Sequence, residues 1–230
     1  MSVFALMVGI VLPPITILAF LGAMAYRFWA WKKLPQPFMT LFPSPRNGLW
    51  AEVLKETLFF PSLFQGDRVL WTFAWVFHAM LALIVVSHVR VFTDFPALWA
   101  ALGINADTMS AVAGGAAGIA ILLAVLLLLL RRLAIRRTRE ISTAGDHFAL
   151  LLILAILLTG NAMRFLGHFD LNQTREYFAA LVTLRAPSPP ASAWFLAHFL
   201  LAQVLVLYIP FSKILHFGGV FFTQAALRRS

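Results

Sequence analysis

A bundle of five transmembrane helices, all-α, with its N-terminus outside and its C-terminus in the cytoplasm, is the architecture to expect of this integral membrane chain. Of its 230 residues 61% are hydrophobic and only 12% charged, with a mean hydropathy of +0.87, far too apolar for a water-soluble domain. Crossing a bilayer core of about 30 Å takes roughly 20 apolar residues of helix, and five segments reach that length, near 4–28, 69–91, 111–131, 147–166 and 193–216. Lys and Arg crowd residues 27–68, 131–139 and 213–229, whereas 91–110 contains none and 167–192 only Arg175 and Arg185. Basic residues resist translocation, so the crowded stretches belong in the cytoplasm. No internal repeat is evident, and one membrane domain over 1–230 suffices.

The first segment lacks a basic leading region and a small-residue cleavage site, so it reads as a retained anchor and not a secretory signal. The cytoplasmic loop 32–68 opens with prolines at 35, 37, 43 and 45. It continues through 48–60, where the spacing of Leu49, Val53, Leu54 and Leu58 suits an amphipathic helix along the cytoplasmic face. That helix either fills the end of the bundle or offers a docking surface. Outside, 92–107 carries Asp94, Trp99 and Asp107, and 170–177 has the makings of a short interfacial helix. Pro187, Pro189 and Pro190 then stop helix formation before the last span. In the third span the small-residue run Ala113-Gly114-Gly115-Ala116-Ala117-Gly118 permits close helix packing or the approach of a flat cofactor.

A net charge of +9 raises nucleic acid as a partner, but the basic residues are divided among juxtamembrane loops with no stripe of interleaved aromatics. The lipid bilayer and membrane insertion account for them instead. With no cysteine, the chain alone can hold no disulfide, cysteinyl zinc site or iron–sulfur cluster; any such centre must sit in a partner.

The chemistry lies in the histidines. Four of the six fall inside apolar helices: His78 and His88 in the second, His198 and His216 in the fifth. One intramembrane histidine is commonly a helix-packing hydrogen bonder; four on two helices ask for another account. The two helices run in opposite directions, so His88 and His198 share the outer depth and His78 and His216 the inner. Eighteen residues of helix put His198 and His216 on one face with about 27 Å of rise, while ten residues give His78 and His88 only about 15 Å and a rotation of roughly 80°. Tilt, imidazole reach and a kink at Pro210 must absorb a mismatch of about 12 Å. Paired imidazoles with no thiolate or carboxylate beside them match the axial ligands of a low-spin haem, and two pairs imply two b haems.

Propionates need cations near each surface. Arg90 and Arg164 stand at the outer depth and Arg131, Arg132 and Lys213 at the inner, although snorkelling explains them as well. His147 and His168 flank the fourth span as interfacial polar residues; His168, with Arg90, is also a candidate for a quinol site.

The stretches FHAMLALIVVSH (77–88), AGGAAG (113–118), the RR and TAGD elements (131–132, 143–146) and AHFLLAQVLVLYIPFSKILH (197–216) resemble the gamma subunit family of respiratory nitrate reductase, five-helix dihaem cytochromes b. The resemblance implies His78 with His216 on the cytoplasmic-side haem and His88 with His198 on the outer haem. Within that superfamily, residues 33–94 and the ending 175–184 with 207–222 are similar to the membrane cytochrome b of the Dsr complex of dissimilatory sulfur metabolism. Where the nitrate reductase family places a lysine near its outer quinol site, this chain has Thr108, which leaves the quinol contacts open.

What the resemblance implies is a subunit, not a complete enzyme, in the cytoplasmic membrane of a prokaryote. It would oxidise a quinol, menaquinol in particular, and exchange electrons with a cytoplasmic iron–sulfur subunit. A periplasmic multihaem cytochrome c and a second membrane subunit are further implied partners. The competing readings are the nitrate reductase gamma subunit proper and a haem-free transporter or scaffold.

Overall fold

The computed structural model describes residues 1–33, 48–167, 169–183, 185 and 187–219, and every regular element among them is helical. The five long apolar helices are α1 (Val3–Lys32), α4 (Arg68–His88, continued as a 3-10 turn to Val91), α6 (Ala106–Ala134), α8 (Ala144–Phe165) and α10 (Ala193–Tyr208). Shorter helices join them: α2 (Leu49–Phe59) and α3 (Pro61–Gly66) before the second span, α5 (Pro96–Leu102) and α7 (Arg136–Glu140) on either side of the third, and α9 (Leu171–Val182) between the fourth and fifth. The amphipathic helix expected over 48–60 is α2, and the short interfacial one is α9. Residues 34–47, which include the four prolines of the first loop, and the tail from 220 lie outside the described residues.

Each span starts where a polar side chain can accept the orphan amides that a helix N-terminus leaves. Asp67 accepts from Leu70 N–H (2.8 Å) at α4, and Asn105 from Asp107 and Thr108 N–H at α6. A reciprocal Thr143/Asp146 capping box starts α8, Asp170 caps α9 and Ser192 caps α10. In lipid nothing else would satisfy those amides. Leu18, Leu21, Val85, Val86, Leu123 and Leu151 are exposed on the spans, as a hydrocarbon solvent requires.

Within the bundle α4 packs on α6, α6 on α8, α8 on α10, and α10 on α1. Ile121, Val125 and Leu157 form one core with Phe77, Met80, Leu81 and Ile84; Val8, Tyr177, Phe195 and Leu196 form the other, beneath α9. The small-residue run of α6 serves close packing. A Cβ on Gly118 would stand 2.7 Å from Asn161 Oδ1, and one on Gly114 2.9 Å from an Arg164 nitrogen, so these glycines let the polar side chains of α8 lie against the α6 backbone. Asn161 donates to Gly118 O (3.1 Å) and Arg164 to Ser110 O (2.9 Å).

The fifth span departs from expectation. A helix over 193–216 with one kink at Pro210 is the sequence reading; the α-helix ends at Tyr208 instead. A 3-10 turn (Ile209–Phe211), an extended Ser212 (φ −121°, ψ 170°) and a second 3-10 turn (Lys213–Leu215) follow. Proline lacks the N–H that would continue the helix, and Ser212 Oγ accepts Ile214 N–H (3.2 Å) to start the next turn.

α1 shows how a proline pair in a membrane helix is served by its neighbours. Over Met7–Val11 the helix widens into a π-turn in which Leu12 N–H reaches back to Met7 O. The carbonyls of Val8 and Gly9 would look next to residues 13 and 14, both prolines with no N–H to give. Gln203 of α10 donates to Val8 O (3.0 Å) and the Tyr177 hydroxyl to Gly9 O (2.6 Å), while Thr16 donates to the Gln203 amide oxygen (3.3 Å). Burial pushes the Tyr177 phenol up to about 12, so it remains a donor at any physiological pH. Tyr177→Phe removes only that donor and should cost about 1–3 kcal/mol, the usual price of an orphaned buried acceptor, read as a lower Tm of the detergent-solubilised protein. An unchanged Tm would mean that something other than Tyr177 serves the Gly9 carbonyl.

Candidate functional site

No close backbone packing comparable to that of the other neighbours joins α4 to α10 among the described residues. Between them is a slot, and across it the four intramembrane histidines meet in the pairs expected from depth. His88 and His198 lie with ring centroids 6.3 Å apart and planes 13° apart; His78 and His216 lie 5.9 Å apart with planes at 85°. The second pair forms beyond the break in the fifth span: α10 ends at Tyr208, and His216 follows the extended Ser212 and the second 3-10 turn.

Each ring is held by its Nδ1. His78 Nδ1 lies 2.7 Å from Ala74 O, His88 Nδ1 2.7 Å from Ile84 O, His216 Nδ1 2.9 Å from Lys213 O, and His198 Nδ1 3.0 Å from Ile156 O of α8. A carbonyl only accepts, so in every ring the proton belongs on Nδ1 and Nε2 carries the free lone pair. This is the arrangement found behind metal-ligating histidines.

The donor set fits haem iron. A metal–imidazole bond of about 2 Å on each side of an ion puts two ring centroids roughly 6 Å apart, the spacing of both pairs. Each pair offers two ligands, and no group of three or more His, Cys, Asp or Glu able to hold a bare ion occurs among the described residues. Two opposed imidazoles suit a metal whose equatorial positions a macrocycle already fills. Aromatic rings wall the His78 side: Phe60 and Phe77 meet His78 edge-on at 5.2 and 5.0 Å. Phe60 sits between α2 and α3 in the left-handed region (φ 49°), a conformation costing a non-glycine residue about 1–2 kcal/mol. Nothing in the local sequence signals it.

The candidate propionate partners sit at the two ends of the slot, each engaged by protein groups. Arg90, nearly buried, is bound by Asp94 through two nitrogens (2.9 Å each), by Asp107 (2.9 Å) and by Ala106 O (2.9 Å). Arg175 of α9 reaches the same Asp94 (2.6 Å) and also Arg90 O (2.7 Å), which clamps the roof helix onto the end of α4. At the opposite end Arg131 pairs with Asp67, the cap of α4. Arg132 (3.6 Å) and Lys213 (2.8 Å) converge on Asp146 of the α8 capping box, tying the segment before His216 to the third and fourth spans. Arg164 donates to a backbone carbonyl, and His147 Nδ1 lies 3.0 Å from Thr143 O. His168 lies outside the described residues. Two further residues at the site, Thr159 and Gly160, touch His198; a glycine inside an apolar span was the only signal of them in the sequence.

A five-helix membrane bundle with two opposed histidine pairs across one slot has the construction of a membrane cytochrome b-type redox subunit. The chain belongs to the nitrate reductase gamma subunit family, whose model matches residues 61–227. It is similar to the Hdr-like menaquinol oxidoreductase cytochrome b-like subunit of Archaeoglobus fulgidus, 33% identical over 265 aligned positions that cover 94% of this chain and 77% of that protein. The subunit of the same description from Archaeoglobus profundus is 33% identical over 78% of this chain, which spans 60% of that protein's length. The nitrate reductase gamma chain of Bacillus subtilis is 32% identical over 61% of this chain and 68% of its own. These relatives are subunits of oxidoreductase complexes, and the five long apolar helices agree with a multi-pass membrane protein.

The Asp94 clamp makes a pH prediction. Hydrogen bonds from Arg90 and then Arg175 hold the Asp94 carboxyl well below the usual carboxylate range. A depressed folded-state pKa contributes stability that is complete above the unfolded value of about 4 and is lost as pH falls below it. The Tm of Asp94→Asn should therefore lie below wild type at pH 7, and the gap should narrow as the pH is lowered through 4. A constant gap would contradict the ionic account.

Proposed function

We propose that the chain is a dihaem cytochrome b subunit that exchanges electrons between the quinone pool and a cytoplasmic iron–sulfur subunit, with menaquinol as its quinol. The facing histidine pairs, each with Nδ1 tied to a carbonyl, carry this reading. His78 and His216 would ligate the inner haem, His88 and His198 the outer. When bound, the two haems supply one-electron carriers at two depths of the membrane. The protein's own part is to fix their separation, exclude water with the apolar walls of α4, α6 and α10, and set each ligand's basicity through its Nδ1 contact.

The excess of Lys and Arg in 27–68 and 131–139 supports a cytoplasmic location for the His78/His216 end and an outer one for the Asp94 end. Arg90, Arg131, Arg132, Arg164 and Lys213 remain the cations nearest in depth to the propionates, through exchange of their present partners or through water. Menaquinol finds support in the description of the Archaeoglobus relatives. The Dsr-like resemblance of residues 33–94 favours a role in dissimilatory sulfur metabolism, with a periplasmic multihaem cytochrome c and a second membrane subunit as partners. His168 and Arg90 are the quinol-site candidates.

A pyridine haemochrome assay with reduced-minus-oxidised spectra on purified protein tests the reading. Two b haems per chain are expected, with His78→Ala and His216→Ala losing one and the same haem, and His88→Ala and His198→Ala losing the other. A colourless wild-type protein from haem-replete cells would move the chain to the transporter or scaffold reading.

A further inference from the structure

Three of the four imidazoles are anchored by their own chain segment, and one is not. His78 and His88 lean on the carbonyl four residues earlier in α4, and His216 on the one three residues earlier. His198 has its Nδ1 against α8, 3.0 Å from Ile156 O and 3.2 Å from Thr159 Oγ1. Thr159 places its own proton on Ala155 O (2.9 Å) or Ile156 O (3.0 Å), so its remaining lone pairs are free to accept. The ring N–H is thus shared between two acceptors of a helix that provides no histidine to either pair. One residue on, Gly160 gives the ring its room: a Cβ there would stand 3.1 Å from His198 Cε1 and 3.3 Å from Nδ1. Glycine weakens a helix interior, and the close approach of this ring gives it a reason to be there.

We propose that Thr159 and Gly160 are positioning residues that make the fourth span the setting for His198, and that through this ring they fix the reduction potential and ligand-plane orientation of the haem shared by His88 and His198. The inference rests on the dihaem reading above. An acceptor on Nδ1–H draws the proton outward and makes Nε2 the stronger donor, which favours ferric iron. Losing the hydroxyl should therefore weaken the ligand and raise that one potential. The His78/His216 pair has no contact with either residue and should not respond.

Thr159→Val is nearly isosteric and removes only the hydroxyl's hydrogen-bonding capacity; Thr159→Ser keeps it. The experiment is an optical redox titration with low-temperature EPR on the purified haem-loaded protein, the affected haem being assigned from the spectrum of His198→Ala. In Thr159→Val we expect two haems by haemochrome, an upward shift of the His88/His198 midpoint, an unmoved second midpoint, and a return toward wild type in Thr159→Ser. Loss of that haem alone, recovered in Thr159→Ser, would support the same role. Gly160→Ala should change the EPR signal of the same haem and leave the other's; should that variant fail to fold, the Thr159 pair decides. Two haems with both midpoints unmoved in Thr159→Val would overturn the inference, and so would equal movement of both. A wild-type protein without haem would instead bring down the dihaem reading on which it stands.

Discussion

An imidazole in a lipid-facing bundle must place both nitrogens, because no water is present to take either. That requirement organises the structure around the slot between α4 and α10. Tying Nδ1–H to a carbonyl in each ring leaves Nε2 with a free lone pair. Four such rings in two facing pairs would be poorly satisfied as a closed apolar core, since each would bury an unanswered acceptor at a cost of about 1–3 kcal/mol. On the dihaem reading a haem iron would complete each pair, and the rest of the fold sets the spacing of the two helices that carry them.

The ends of the slot are built differently, and the difference follows the sequence. At one end Arg90, Asp94, Asp107 and Arg175 form a single network that pins α9 over the His88/His198 pair. At the other, carboxylates that cap α4 and α8 also receive Arg131, Arg132 and Lys213, so helix starts and interhelical ties are made by the same two side chains, Asp67 and Asp146. This economy of carboxylates suits a chain with only nine acidic residues. The proline pair of α1 shows the same logic: backbone acceptors released in one helix are answered by Gln203 and Tyr177 of others, since lipid answers nothing.

The spans, the amphipathic and interfacial short helices and the facing of the histidines were legible because each rests on a periodic or depth-dependent property: apolar length, apolar spacing, and opposite helix direction. The end of the fifth helix was not. Pro210 announces a disturbance, but whether a proline kinks or ends a helix depends on what catches the freed groups. Here Ser212 Oγ, and Arg27 donating to Pro210 O (2.8 Å), stabilise an end. The Asp94 network was half legible: the charges were visible, their convergence on Arg90 and Arg175 was not, because it joins residues 81 and 85 apart in the chain. Thr159 was invisible for the same reason, as a hydroxyl in an apolar helix ordinarily bonds its own backbone.

Ring planes offer the most direct test of the central claim, that two bis-histidine sites occupy one slot. Near-parallel imidazoles, as in the His88/His198 pair, give a low-spin ferric haem a rhombic EPR spectrum; near-perpendicular ones, as in the His78/His216 pair, give a strongly axial low-spin signal. Low-temperature EPR of the oxidised, purified protein should show one signal of each kind in equal amounts. A high-spin signal of comparable intensity, which marks an iron lacking its second imidazole, or the absence of any haem signal from the purified protein, would contradict the account.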